Sequence, residues 1–111
     1  LEIWGRGKAS RDIIYIDDLI DFIDKCINNQ KNMYELYNCG AGQAYPILEI
    51  AKTIMELNDK DLEFQFDITK PDIPTTVILN CDKAKKDLGW SPSTDIVEGL
   101  KRTCEWYKKN E

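Results

Sequence analysis

Histidine is absent from the 111 residues, and the four cysteines, Cys26, Cys39, Cys81 and Cys104, are scattered with no C-x-x-C pair among them. That combination supplies neither the ligand set of a zinc site, nor the framework of a disulfide scaffold, nor a resolving pair for thiol redox chemistry. The cysteines read as small buried hydrophobes. Basic charge is also short: 15 lysines and arginines against 20 acidic residues leave a net charge of −5. Such a field repels phosphate backbones and argues against a nucleic-acid partner, which would need a basic stripe. No apolar run exceeds a few residues, so these residues hold no signal-like or membrane-spanning stretch, and the expected location is the cytoplasm. Methionine does not open the chain. Leu1-Glu2-Ile3-Trp4 reads as the end of an extended strand, which predicts a piece of a longer protein.

With 42% hydrophobic residues, the chain has the composition of one domain with a modest core. The turn-rich stretch Gly5-Arg6-Gly7-Lys8-Ala9-Ser10 separates Ile3-Trp4 from the β-branched and aromatic run Ile13-Ile14-Tyr15-Ile16, predicting two strands joined by a short loop. Ile16, Leu19, Ile20, Ile23, Cys26 and Ile27 then recur at helical spacing, with Asp17 or Asp18 as the cap and Asn28-Asn29 as the end. Tyr34 to Cys39 predicts a strand that stops at Gly40-Ala41-Gly42, and Pro46 suits the first turn of a helix carrying Ile47, Ile50, Ala51, Ile54 and Leu57. Leu62, Phe64 and Phe66 alternate with polar residues, the period of a half-buried strand. Pro71 and Pro74 impose an extended loop.

A short helix from Asp82 to Leu88 is stopped by Gly89 and Pro92. The last helix, from about Asp95 to Lys108, is expected to bury Ile96, Val97, Leu100, Cys104 and Tyr107 and to pair Glu98 with Arg102 on its wet face. Trp90 and Trp106 read as residues that anchor helices by packing. The sum is an α/β fold of about four helices and four short strands.

Three segments carry a resemblance that covers nearly the whole chain. The first runs from Trp4 through Gly5-Arg6-Gly7 and Arg11 to Asp17-Asp18; the second is Tyr37-Asn38-Cys39-Gly40 with the helix from Ile47 to Leu57. The third is Thr69-Lys70-Pro71-Asp72-Ile73-Pro74, leading to Leu88-Gly89-Trp90-Ser91-Pro92. In this order and spacing they resemble the C-terminal part of the extended short-chain dehydrogenase/reductases, the nucleotide-sugar epimerases and dehydratases. Within that family the Lys70-to-Pro74 loop, with Trp4 seven residues ahead of Arg11, is most similar to the GDP-L-fucose synthase-like enzymes. Ile73 and Thr75 depart from their pattern, which has glycine and arginine there.

The resemblance implies that residues 1–111 are the small C-terminal nucleotide-sugar-binding domain of an NAD(P)-binding Rossmann enzyme, with the N-terminal Rossmann domain absent. It places substrate contacts on Trp4, Arg11 and Lys70. Arg11 offers the planar fork that matches phosphate oxygens, Lys70 a second cation, and Trp4 an aromatic face. NAD or NADP would be held by the absent domain, and no cofactor by this one. Gly5-Arg6-Gly7 lacks the third glycine of a dinucleotide fingerprint, and none of Tyr34, Tyr37, Tyr45 and Tyr107 begins a Tyr-x-x-x-Lys string, so the proton-moving residues lie elsewhere too. The implied partners are a nucleoside-diphosphate sugar, the Rossmann domain and a second copy in a homo-oligomer. The chain by itself is expected to be inert, and epimerisation, dehydration and reduction all fit the parent. A stand-alone nucleotide-sugar-binding or protein-interaction α/β module is the rival reading.

Overall fold

A computed structural model describes residues 1–111. Its elements, in chain order, are β1 (Glu2–Trp4), β2 (Ser10–Asp12), α1 (Ile16–Asn29), β3 (Ala44–Pro46), α2 (Ile47–Glu56), β4 (Gln65–Asp67), β5 (Thr76–Val77), α3 (Asp82–Leu88) and α4 (Ile96–Asn110). β1 pairs in parallel with β4, setting Ile3 opposite Phe66. β2 is the centre of a second sheet, antiparallel to β3 and parallel to β5, so that Arg11 lies opposite both Tyr45 and Val77.

All four helices fall where their periodicity predicts, and each has a local reason to start or stop. α3 ends because Gly89 adopts φ 67°, a left-handed conformation, and returns its N–H to the Lys85 carbonyl at 3.1 Å. α4 opens on Asp95, whose carboxylate accepts the Glu98 N–H at 3.0 Å, and Glu98 pairs with Arg102 at 2.7 Å. α2 has no side-chain cap. The N–H groups of Ile47 and Leu48 instead donate to the carbonyls of Ala9 and Gly7, at 3.0 and 3.1 Å, so the glycine turn sits on the start of the helix.

The fully buried apolar cluster is Ala84, Leu88 and Trp90, with Ile14, Phe22, Cys26, Tyr37, Cys39 and Cys81 packed around it. Phe22 meets Trp90 edge-on at 5.2 Å between ring centroids. Three of the cysteines therefore contribute apolar packing, and burial pushes the Cys39 thiol up to about 11, with those of Cys26 and Cys81 also raised.

Several expectations are corrected. Neither Asp17 nor Asp18 caps α1: the helix begins one residue earlier, behind Tyr15, and Asp18 turns inward, 5% exposed. Its carboxylate accepts the N–H groups of Ser93 and Thr94 at 3.2 and 3.0 Å and both their hydroxyls, at 2.9 and 3.3 Å. Burial opposes the charge on Asp18, but these donors prevail and hold its carboxyl below the usual range. The strand expected at Ile13 to Ile16 lies instead at Ser10–Asp12. It stops there because the Asp12 carboxylate gathers the N–H groups of Ala41, Gly42 and Leu79 at 2.6, 2.9 and 3.1 Å, turning the chain away from the ladder.

Tyr34 to Cys39 forms no ladder, since no strand lies beside it; Lys83 and Asn38 hold it through side-chain bonds to the Leu36 and Asn80 carbonyls. The strand expected from Leu62 is confined to Gln65–Asp67, because its register with β1 begins only at Gln65. Five strands exist rather than four, β3 and β5 being unforeseen. Trp90 is an anchor, donating its indole N–H to the Asp18 carbonyl at 3.1 Å. Trp106, Tyr107 and Val97 are 64, 59 and 50% exposed, since among the helices α4 packs mainly against α2 and much of its surface is left open.

The molecule measures 50 × 33 × 19 Å with a radius of gyration of 16.6 Å, against about 13 Å expected for a compact 100-residue domain. Twenty large apolar side chains are exposed, among them the α1 stripe Ile16, Ile20, Ile23 and Ile27. Of the row that identifies α1, Cys26 joins the Trp90 cluster, while the four isoleucines form a face that nothing within these residues covers.

Candidate functional site

The β1–β2 turn, the start of α2 and the loop from Pro71 to Ile73 border an open cavity of about 580 Å³. Trp4 and Arg11 line it. Lys70, on the loop's approach, holds its ammonium 5.5 Å from the centroid of the Trp4 ring. Two of the three residues singled out in the sequence, Trp4 and Arg11, therefore line one cavity, and the third, Lys70, reaches it only by its contact with the Trp4 ring.

Each is positioned by a traceable local cause. Trp4 closes β1, and its indole N–H donates to the Glu2 carboxylate at 2.9 Å, which sets the ring's direction although the side chain is 58% exposed. Lys70 follows a turn built by Asp67, whose carboxylate accepts from the Thr69 N–H at 3.0 Å and hydroxyl at 2.6 Å, and whose carbonyl accepts the Lys70 N–H at 3.3 Å.

Arg11 is central to β2, and its guanidinium is half spent. Nη1 donates to the carbonyls of Ser10 and Thr75 at 2.9 and 2.7 Å, and Nη2 reaches the Ile73 carbonyl at 3.5 Å. It forms no ion pair with Asp12 or Asp17. Two consequences follow. The loop from Ile73 to Thr75 is tied to β2 by this side chain, and Nε is left without a protein acceptor. Thr75, one of the two departures from the fucose synthase-like pattern, contributes its carbonyl to this tie and its hydroxyl at 3.5 Å.

Sequence reasoning missed Glu2 and left Asp72 undecided. A carboxylate two residues from a tryptophan is a weak signal, because adjacent-but-one residues on a strand share a face in every strand.

A second cavity, of about 390 Å³, lies between Gly40–Gly42 and the Ile78–Asp82 and Trp90–Pro92 stretches; none of Trp4, Arg11 and Lys70 reaches it.

The family model of GDP-mannose 4,6-dehydratase matches residues 1–103. GDP-L-colitose synthase of Yersinia pseudotuberculosis is 35% identical over 107 residues, covering 96% of this chain and 34% of the relative. GDP-L-fucose synthase 1 of Arabidopsis thaliana is 32% identical over 108 residues, covering 97% of this chain and 33% of the relative. Among solved structures, a UDP-glucose 4-epimerase from Thermotoga maritima with UDP-glucose superposes with a TM-score of 0.89 at 30% identity, over 99% of this chain and 35% of the other. The chain spans about a third of the length of the proteins it matches.

Proposed function

The chain belongs to the GDP-mannose 4,6-dehydratase family of nucleotide-sugar enzymes, and from that premise we propose that it is the part of an NAD(P)-dependent sugar epimerase, dehydratase or reductase that grips the nucleoside diphosphate of its substrate. The observation that carries this reading is that Trp4 and Arg11 line one cavity, with the Lys70 ammonium set against the Trp4 ring. Arg11 is fixed in plane by backbone carbonyls before any ligand arrives, so its free edge meets phosphate oxygens without first ordering a long side chain. Lys70 adds a second positive charge, and Trp4 supplies the apolar face. Relatives named for GDP sugars favour a GDP sugar as the substrate class.

In this reading the dinucleotide and the proton-moving residues belong to a Rossmann domain outside these residues. The start of α2 supports it: a dinucleotide cradle needs free N–H groups where a glycine turn opens a helix, and here those of Ile47 and Leu48 are already taken by Ala9 and Gly7. The residues present do not fit NAD(P) at that turn. The α1 stripe and the exposed Met33, Tyr34 and Leu36 would then face that domain or a second copy in a homo-oligomer.

The test is calorimetric titration of the intact protein with GDP and UDP sugars, beside an Arg11→Lys variant. Lysine keeps the charge but cannot hold two carbonyls and a phosphate together, so binding is expected to weaken by about 1 to 3 kcal/mol, the range for charge-assisted hydrogen bonds. The loss should appear in KM more than in kcat, because the diphosphate is remote from the reacting carbons. Unchanged binding with a lowered melting temperature would make Arg11 a loop tie alone and sink the reading.

A further inference from the structure

Asp72 lies outside the set of residues assigned to the ligand, yet it stands between them. Its carboxylate accepts the Arg6 N–H at 3.2 Å, joining the loop to the glycine turn across 66 positions of sequence. It also lies directly against Gly5, which has φ +66°: a β-carbon at residue 5 would overlap the Asp72 carboxyl group. The glycine serves two ends at once, a left-handed turn and room for a carboxylate.

The stretch from Asp67 to Thr75 is thereby fastened at three points. At the first, the Asp67 carbonyl accepts the Gly5 N–H at 2.9 Å. At the last, Arg11 holds Thr75. Asp72 is the fastening between them, two residues after Lys70 and next to Ile73.

We propose that Asp72 is a positioning residue for the nucleoside-diphosphate site: by seating the loop on Gly5 and Arg6, it brings the Lys70 ammonium to Trp4 and the Ile73 carbonyl to Arg11. The proposal rests on the site reading given above. Its sign separates it from the alternative. Asp72 lines the cavity, and a carboxylate that merely stood there would repel a diphosphate, so its removal would tighten binding. A positioning carboxylate does the reverse.

The experiment compares Asp72→Ala, Asp72→Asn and Gly5→Ala with the unaltered intact protein. GDP and UDP are titrated by calorimetry, and the Trp4 indole N–H resonance is followed without ligand. Asp72→Ala is expected to weaken the tighter nucleotide about tenfold, as for loss of one hydrogen bond to a charged group, and to shift the Trp4 resonance. Asp72→Asn keeps an acceptor for the Arg6 N–H and should restore most of both. Gly5→Ala should reproduce Asp72→Ala by expelling the carboxylate, and the double variant should bind no worse than either single one, since both break the same contact. Tighter binding by Asp72→Ala, an unmoved Trp4 resonance, or losses that simply add would overturn the proposal. If the unaltered protein binds neither nucleotide, the site reading falls, while the Trp4 resonance still decides whether Asp72 seats the loop.

Discussion

The two ends of this molecule are held together by different physics. Around Trp90, α1 and α3 close on a small apolar cluster, and the polar groups drawn into it are fully partnered: Asp18 collects four donors and the Trp90 indole finds a carbonyl. Around Arg11 almost nothing apolar is buried except Ile3, and the shape is kept by hydrogen bonds from loop to loop, many of them exposed. The first region is expensive to disturb because emptied volume and unpaired donors cannot be replaced by water. The second can be rearranged at modest cost, which suits a surface that has to accept and release a ligand.

Breaking the first region should give the largest effect. Trp90→Ala leaves a void bordered by Leu88 and Phe22 and frees the Asp18 carbonyl, so a loss of about 3 to 5 kcal/mol is expected in urea denaturation, enough to unfold a chain this small.

Asp18→Asn keeps the volume and sharpens the comparison: its amide must point a donor at Ser93 or Thr94, costing about 1 to 3 kcal/mol near neutral pH. The pH dependence has a definite sign. Because the folded carboxyl lies below its unfolded value of about 3.9, its contribution is complete above that pH and disappears as pH falls through the lower, folded value. The stability gap between the two proteins should therefore close on acidification through the range below about pH 4; a gap that stays constant to pH 2 would show that charge has no part in it.

Trp106→Ala marks the small end, with a change within about 0.5 kcal/mol by the same denaturation, since that ring is 64% exposed. A loss of several kcal/mol there would mean that α4 is covered after all.

How far the sequence revealed this division depends on the range of each interaction. The helices were legible because their causes are local: a stripe at helical spacing, Gly89 to stop α3, Asp95 to start α4. Of the strands, β1 and part of β4 were legible, but β2 was misplaced and β3 and β5 were missed, because two or three residues carry no pattern and their partners lie far along the chain, Ser10 against Thr76. Asp18 illustrates the failure best. An acidic residue at the head of a helix reads as a cap, and only its distance of 75 positions from Ser93 hides the anchor it really is. For the site, Trp4, Arg11 and Lys70 came from resemblance rather than from periodicity, and no sequence rule tells that Arg11 spends its Nη donors on the carbonyls of Ser10, Thr75 and Ile73.

Near each end, α1 is bonded to one short stretch of chain: Asp18 receives Ser93 and Thr94, and Asn29 donates its side-chain amide to the Leu88 carbonyl at 2.9 Å. A helix pinned at two points cannot roll. One residue added or removed between the pins would turn everything beyond it by about 100°, and either Asn29 or the Ile16-to-Ile27 row would point the wrong way. Whatever docks on that row therefore meets it at a fixed angular phase, and change along α1 is open to substitution but closed to insertion and deletion.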